Sequence, residues 1–439
     1  MTRRWWLRVM VAVLALALVA VGCQPKAAPT VAPAPTAAAP VGPKAPPTAA
    51  PTAAPTTAPT RVATAAPTAP APAEPCTVSE RGILPVGPAP VPAVRASDWT
   101  LGPADALITI TEYADVQCPP CSSVAPVLRQ LQANYPKDVR LIFRHFPLDS
   151  IHPLARLAGQ ATEAAGAQGK FWEMLELLYA HQREWSAKAE ADFKTYAAEQ
   201  AVGLGLDRAR FGADLVGEKA VAAVAGGLKE AMDLGLRGTP SLAINGFPYG
   251  GNWDPWTLSA IVELIKLDQR HYTSCPPTVI DPAKSYRATL KTTKGEIVIE
   301  MLPKQAPLAV NSFVFLAREG WYDNVPFHRV IPDFVAQAGD PTGTGGGGPG
   351  YSFRDEVSPS DQFDAAGLVA MANSGANTNG SQFFITYGPQ VALNAKHTIF
   401  GRVTAGMEVA KQLTARDPSN DPNNMPEADR IVGVTVAEQ

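Results

Sequence analysis

The chain has 439 residues, enough for two ordinary domains and a non-globular segment. Its formal net charge of −3 gives no general basic field, which argues against a nucleic-acid-binding protein. Five cysteines are too few for a small disulfide-rich scaffold, so their positions are more informative than their number.

The N-terminus has the features of an export signal. Three arginines among the first eight residues form a basic region, and an uninterrupted apolar run follows over residues 9–21. As a helix this run spans about 20 Å, less than the roughly 30 Å hydrocarbon core of a bilayer, so a transmembrane anchor is the less favoured alternative. We therefore predict a signal peptide over residues 1–22 and an extracytoplasmic location for the rest of the chain.

The end of this leader, Ala20-Val21-Gly22-Cys23, resembles the lipobox of bacterial lipoproteins. In that family the cysteine becomes the lipidated first residue of the mature chain. The resemblance therefore implies lipidation of Cys23 and a membrane anchor of acyl chains. The sequence departs from the usual lipobox at Ala20, where a leucine is more common.

Residues 23–75 consist almost entirely of Pro, Ala and Thr. Such a segment cannot bury enough apolar surface to offset the entropy of ordering it. High proline content favours extended polyproline II, with a reach of about 160 Å for this length. We predict a disordered, Pro-rich N-terminal stalk that tethers the domains to the membrane.

Residues 76–276 show the alternation of strands and helices that is typical of an α/β domain. The pattern predicts strands at 106–113 and 139–146, a helical region at 152–230, a strand with an Asn-Gly hairpin turn at 241–246, and a closing helix at 254–266.

The sequence Cys118-Pro-Pro-Cys121 lies between a predicted strand and a predicted helix. Free N–H groups and the helix dipole stabilise a thiolate at a helix N-terminus, which lowers the pKa of the thiol and makes it nucleophilic. Such a pair exchanges disulfides through a mixed disulfide with a client. A structural disulfide and half of a metal site are the alternatives, although no second Cys or His pair at zinc-binding spacing is evident.

Four motifs together resemble the DsbA-like thioredoxin-fold family over residues 98–270, including its helical insertion. They are Glu112 with Cys118-Pro-Pro-Cys121, Arg144-His-Phe-Pro-Leu148, Gly169-Lys-Phe-Trp172 and Gly238-Thr-Pro240. The resemblance implies that Cys118 is the nucleophile and Cys121 the resolving thiol. It also implies a cis-proline turn at Thr239-Pro240 and proton transfer by Glu112, for which a satisfied strand carboxylate is the alternative.

The remaining features of this domain concern its redox direction and its outer cysteines. Pro119-Pro120 lacks the His that strengthens oxidising power in the best-known family members. Oxidase is the favoured direction, and reductase or isomerase stays open. Cys76 and Cys275 flank the domain. In an oxidising compartment two such cysteines usually pair, and we predict a structural disulfide between them.

From about residue 284 the chain changes to short strands, turns and many glycines, with one clear helix near 306–318. This pattern predicts a mostly β, closed antiparallel barrel with helices over residues 277–439. The glycine-rich segment 343–348 is expected to be a surface loop, because no phosphate-binding pattern accompanies it.

Four motifs of this region together resemble the cyclophilin family. They are Phe327-His-Arg-Val-Ile-Pro-Asp-Phe-Val-Ala-Gln-Ala-Gly-Asp340, Met371-Ala-Asn373, Asn379-Gly-Ser-Gln-Phe-Phe-Ile385 and Lys396-His-Thr-Ile-Phe-Gly401. The resemblance implies peptidyl-prolyl cis-trans isomerisation. Rotation of an X–Pro bond crosses a barrier set by amide resonance, and weakening that resonance requires no metal or other cofactor.

The cyclophilin resemblance also implies roles for individual residues. Arg329 would donate to the prolyl nitrogen, and Gln337 would grip the substrate chain together with the backbone around Ala372 and Asn373. The apolar cup that holds the proline ring, with a histidine at its edge, would consist of Phe334, Val335, Phe384, Leu393 and His397. Ala392 and Val335 replace the Trp and Met of well-known members, which should weaken cyclosporin binding more than isomerisation.

Together these features predict a membrane-tethered folding factor. Its expected partners are unfolded or partly folded exported proteins with X–Pro bonds and cysteines, together with a membrane redox partner. The rival hypothesis is a tethered peptide-binding chaperone whose thiol pair is redox-silent or handles a metal.

Overall fold

The computed structural model describes residues 75–79, 82–85 and 87–439. The predicted signal peptide, the lipidation site at Cys23 and, apart from Pro75, the predicted stalk lie outside these residues. None of the helices in the described part is both long and apolar enough to cross a membrane.

The first part of the chain forms a five-stranded sheet with helices. Its elements are β1 (Cys76–Val78), β2 (Trp99–Leu101), β3 (Ile108–Ala114), α1 (Pro119–Asn134), β4 (Val139–His145), α2 (Ala155–Gly166), α3 (Phe171–Ala180), α4 (Gln182–Trp185), α5 (Glu190–Gly203), α6 (Arg208–Leu215), α7 (Glu218–Asp233), β5 (Ser241–Ile244), β6 (Phe247–Tyr249) and α8 (Pro255–Asp268). The strand order is β2-β4-β3-β5-β6. Only β3 and β4 run parallel, and the helices α2 to α7 are inserted between β4 and β5.

Local sequence explains several of these elements. The predicted strands appear as β3 and β4, whose residues are almost all buried. The hairpin after β5 turns at Asn245 and Gly246, which both have positive φ, as the Asn-Gly pair predicts. Helix α8 begins after Asp254, whose carboxylate accepts the N–H of Thr257. Strand β2 was not predicted, because three residues carry too little periodicity.

The second part of the chain contains a nine-stranded antiparallel sheet. Its elements are β7 (Tyr286–Thr292), β8 (Gly295–Met301), α9 (Pro307–Arg318), β9 (Val325–Pro326), β10 (Arg329–Ile331), β11 (Val335–Ala338), β12 (Tyr351–Phe353), β13 (Leu368–Met371), β14 (Phe383–Thr386), β15 (Ile399–Ala405), α10 (Met407–Ala410) and β16 (Arg430–Glu438). The order in the sheet is β10-β11-β14-β13-β15-β8-β7-β16-β9, and β12 lies outside it. Helix α9 packs its apolar side into the core that this sheet encloses.

The prediction of a closed barrel is wrong, since the sheet is a curled half-barrel with β10 and β9 at its two edges. These edge strands are only three and two residues long and do not pair with each other. Strand β9 ends in Pro326, which has no N–H to donate to a further strand, so the ladder stops there.

The two parts of the chain are joined by backbone pairing, and a disulfide fixes the strand that makes this pairing. Strand β1, which the sequence places in the first domain, pairs antiparallel with β12 of the second. The first residue of β1, Cys76, forms a disulfide with Cys275, which follows α8. The N-terminal end of the described chain is therefore fixed where the first domain leads into the second.

Both ends of α8 contact the second domain. At its start, the Asn423 side-chain amide donates to the Asp254 carboxylate over 3.1 Å. At its end, Leu267 is 3 % exposed and packs in the core of the second domain. The N–H of Tyr272 then donates to the Pro349 carbonyl over 2.9 Å. The last helix of the first domain is thus held by the second.

Candidate active sites

The thiol pair lies at the start of α1, directly after β3 and a short turn. Cys118 is the N-cap residue, and prolines occupy the first helical positions. Both thiols are free and buried. The Cys118 Sγ lies 3.4 Å from the carbonyl oxygen of Thr239, and the Thr239–Pro240 peptide bond is cis. The fold therefore brings together the cysteine pair and the proline loop, which are separated by more than a hundred residues.

The two thiols differ in acidity because their surroundings differ. A hydrogen bond from the Cys121 thiol lowers the pKa of Cys118 to about 6, and the nearby Thr239 side chain adds to this. Burial holds the pKa of Cys121 well above its ordinary value, and the neighbouring Glu112 adds to this. Cys118 is thus the more acidic thiol of the pair and the one that ionises first as pH rises.

Glu112 is a buried carboxyl of β3 close to this pair. Its Oε1 has no hydrogen-bond partner among the described residues. Burial, together with the charge of Cys118, raises the pKa of Glu112 to about 8. A cavity of about 20 Å³ adjoins it, which has room for one water. An unpaired carboxyl with a pKa near neutrality can accept and release a proton, so the structure does not support the alternative of a satisfied strand carboxylate.

Asp115 was not singled out from the sequence, although it organises the turn before Cys118. Its carboxylate accepts the N–H groups of Gln117 and Leu148 over 2.7 and 2.9 Å, and His152 Nδ1 lies 2.7 Å away. The available sequence signal is an acidic residue between the strand and the Cys-x-x-Cys motif, which is compatible with many turns.

The Arg144 motif has a structural explanation. The Arg144 guanidinium is buried and pairs with Asp98 over 2.8 Å and with Glu230 over 2.9 Å. The Tyr113 hydroxyl donates to the same Glu230 over 2.6 Å. This network ties the β2 side of the sheet to α7 and does not contact the thiols.

In the second domain, Arg329 lies on β10 at the rim of an apolar cup. Its guanidinium carbon is 5.5 Å from the centre of the Phe334 ring, and its Nε lies 3.6 Å from Asp417. About a third of the side chain remains exposed. The guanidinium is therefore held over the cup with N–H groups still available to a ligand.

The predicted cup residues meet in one apolar cluster. Val335 and Phe384 are buried, and Phe334 and Leu393 pack against them half-buried. Phe363, which the sequence did not indicate, stacks on Phe384 with ring centres 5.9 Å apart and closes the base. The structure thus assembles the cup from four separate segments of the chain.

His397 lies at the edge of this cup, as expected. Its ring meets Phe384 edge-on with centres 5.3 Å apart. Its Nδ1 lies 3.0 Å from the Met371 carbonyl, to which it donates, and burial lowers the pKa of His397 below its ordinary value. The histidine is therefore neutral at pH 7 and leaves Nε2 for a ligand.

The predicted grip on the substrate chain lies beside the cup. The Gln337 amide donates to the Gln382 side chain over 2.9 Å, and Gln382 in turn donates to the carbonyls of Gly345 and Gly347. The Asn373 amide donates to the Lys396 carbonyl over 2.9 Å. Gln337, Asn373 and Ala372 all line one cavity of about 430 Å³. Within the described residues, no group of three or more His, Cys, Asp or Glu side chains is arranged to hold a metal.

Comparisons with known proteins find a match for each of the two domains. Residues 287–436 match the family described as cyclophilin type peptidyl-prolyl cis-trans isomerase/CLD, and residues 95–264 match a thioredoxin family. The chain is 51% identical over 135 residues to peptidyl-prolyl cis-trans isomerase CYP18-2 of Arabidopsis thaliana, a match that covers 30% of this chain and 82% of that protein. It is 49% identical over 136 residues to peptidyl-prolyl cis-trans isomerase cypE of Dictyostelium discoideum, a match that covers 30% of this chain and 87% of that protein.

A third relative extends the match slightly. Peptidyl-prolyl cis-trans isomerase-like 1 of Gibberella zeae is 45% identical over 153 residues, which covers 34% of this chain and 94% of that protein. Each of the three relatives aligns with about a third of this chain, and the aligned stretch is most of the relative's own length. Through its second domain the chain belongs to the cyclophilin-type peptidyl-prolyl cis-trans isomerase family, and it carries a thioredoxin-like domain ahead of that domain.

Proposed function

We propose that this chain is an extracytoplasmic folding factor that combines prolyl isomerisation with thiol–disulfide exchange of the DsbA-like kind at Cys118 and Cys121. The proposal of thiol–disulfide exchange rests on Cys118. This residue lies at the start of α1 beside the Thr239-Pro240 loop, and its pKa is lowered to about 6. The helices inserted between β4 and β5 support the DsbA-like assignment.

The favoured direction is oxidation of client thiols. A client thiolate attacks the Cys118 sulfur of the Cys118–Cys121 disulfide, and Cys121 leaves as a thiolate that takes up a proton from Glu112. A second client thiolate attacks the client sulfur of the mixed disulfide, and Cys118 leaves as a thiolate. Its low pKa makes it a good leaving group. A membrane redox partner then removes the two electrons and restores the disulfide.

The isomerase half uses the groove of the second domain. The cup of Phe334, Val335, Phe384 and Leu393 holds the proline ring while the peptide bond twists. Arg329 donates to the prolyl nitrogen as amide resonance is lost, and Gln337 holds the neighbouring backbone. Donors fixed before the reaction in a sheltered groove lower the barrier without having to reorganise.

The location is proposed from the leader, from the lipobox-like sequence at Cys23 and from the stalk. The disulfide between Cys76 and Cys275 supports it, because such bonds persist in oxidising compartments. There the clients are unfolded or partly folded exported proteins. Disulfide exchange and X–Pro isomerisation are the slow covalent steps of their folding.

Paired activity assays test the proposal. Wild-type protein should isomerise a proline peptide and catalyse oxidative refolding of a reduced client. Arg329→Ala should lose only the first activity and Cys118→Ser only the second. A wild type that catalyses neither reaction yet binds unfolded chains would instead support the peptide-binding chaperone.

A further inference from the structure

The cavity of about 430 Å³ beside the isomerase cup is shared by both domains. One wall is formed by the isomerase groove, with Gln337 and Asn373. The other wall is formed by the end of the last helix of the thioredoxin-like domain and the residues just after it, with Leu264, Asp268 and His271. Since Gln337 belongs to the proposed substrate grip, the cavity continues the substrate groove and is not a separate site.

The glycine-rich loop brings the two walls together. A methyl group added to Gly346 would lie 3.7 Å from a Leu264 methyl, and Gly347 is buried near Leu267. The loop was expected to be only a surface loop, but it lies against α8. Its Gly345 and Gly347 carbonyls also hold Gln382, so it links the α8 wall to the substrate grip.

The α8 wall is fixed in place. Leu267 is buried in the core of the second domain, and Tyr272 just beyond it is hydrogen-bonded to Pro349. The pairing of β1 with β12 and the disulfide between Cys76 and Cys275 hold the same region. A peptide that enters the groove therefore meets a preformed second wall.

The described residues of this wall include one acidic side chain. Asp268 is the one carboxylate among the described residues that line the cavity, and no Lys or Arg is found among them. One carboxylate oxygen accepts the Ile83 N–H over 3.2 Å, and the other lies 3.4 Å from His271 Nδ1. Each oxygen keeps capacity to accept a further donor.

We propose that the thioredoxin-like domain supplies part of the peptide-binding groove of the isomerase. Through Asp268, this wall favours client segments that carry a Lys or Arg within a few residues of the X–Pro bond. The inference rests on the proposed isomerase site and deepens it by naming the substrate class. Its ligand is an extended, basic stretch of an unfolded chain that contacts both domains at once.

The test compares peptides on the full chain. Ten-residue peptides with one central X–Pro bond carry either Lys or Glu at each position within three residues of the proline. For wild type we expect kcat/KM to be about two- to fivefold higher for Lys than for Glu at one or more positions, in keeping with a partly exposed ion pair. Asp268→Asn should abolish this preference. Glu263→Gln, which removes a carboxylate from the same helix away from the cavity, should retain it.

Two further measurements decide the outcome. Leu264→Lys places a cation on the same wall and should turn the preference toward Glu, which tests the wall even if Asp268→Asn does not fold. A wild type without any Lys preference, or a preference that survives Asp268→Asn, would overturn the proposal. A four-residue proline peptide distinguishes failure of the isomerase proposal from failure of the α8-wall proposal. If wild type does not isomerise this short peptide, the isomerase function itself is contradicted.

Discussion

The Cys118 Sγ lies 3.4 Å from the Thr239 carbonyl oxygen, so the reactive thiol faces the cis-proline loop. When Cys118 is protonated, its S–H donates to this carbonyl. When it is ionised, the sulfur can accept from the Cys121 thiol and from the Thr239 hydroxyl, which has no hydrogen-bond partner among the described residues and is free to turn toward it. The same loop thus serves both protonation states, and the ionised one is favoured at pH 7.

Thr239→Val should raise the pKa of Cys118 by about one pH unit, because the valine side chain has no hydroxyl that can turn and donate to the thiolate. The pH dependence of alkylation by iodoacetamide measures this pKa, which should be about 6 in wild type. Thr404→Val, at an exposed threonine of β15, is the matched control and should leave the profile unchanged. An equal pKa in wild type and Thr239→Val would show that the hydroxyl does not stabilise the thiolate.

Glu112→Gln should change how stability depends on pH. The folded pKa of Glu112, about 8, lies above its unfolded value. The contribution of Glu112 to stability is therefore complete below its pKa in the unfolded state and is lost as pH rises through its pKa in the folded state. The thiols are kept oxidised so that they do not titrate. Between pH 5 and pH 9 the free energy of unfolding of wild type should then fall by about 2–4 kcal/mol more than that of Glu112→Gln.

Urea unfolding at the two pH values measures this difference. Glu296→Gln, at an exposed glutamate of β8, is the control and should follow wild type. Parallel pH profiles for wild type and Glu112→Gln would mean that Glu112 is ionised in the folded protein throughout this range.

Arg329→Ala should lower kcat/KM for a short proline peptide about 100-fold, the usual cost of losing one preorganised donor. Arg402→Ala removes an exposed arginine from β15 and should have no effect. Circular dichroism should show both variants folded. A fall of less than about threefold for Arg329→Ala would remove this residue from the proposed mechanism.

Replacing both Cys76 and Cys275 by serine should reduce stability by about 2–5 kcal/mol, because the disulfide closes a loop with a sequence separation of 199 residues. Urea unfolding of the oxidised protein checks this value. We also expect limited proteolysis of the double variant to cut first near β1, which is then held mainly by its three-residue pairing with β12. An unchanged unfolding midpoint would contradict the structural role of the bond.

Much of the local structure could be predicted from the sequence, and contacts between distant segments could not. Strands β3 and β4, the Asn245-Gly246 turn and helix α9 follow from periodicity and turn chemistry. The backbone pairing of β1 with β12, in which Cys76 lies opposite Phe353, could not be predicted. Nothing in a three-residue strand specifies a partner strand so far along the chain. The open half-barrel likewise depends on which edges fail to pair.

The sites show the same division. The cyclophilin motifs contain the cup residues Phe334 and Phe384, and the structure brings them together. Phe363 was missed because it lies outside any regular element, and Asp115 because an acidic turn residue is common. The α8 wall of the groove arises only from the docking of two domains.

The reduction potential of the Cys118–Cys121 pair tests the central claim most directly, since the redox half of the function depends on it. Equilibration with glutathione at pH 7, followed by quantification of the free thiols, gives this value. The stabilised Cys118 thiolate favours the reduced pair, so the account predicts a potential clearly more positive than the roughly −270 mV of thioredoxin. A potential at or below that value, or no exchange with glutathione, would contradict it.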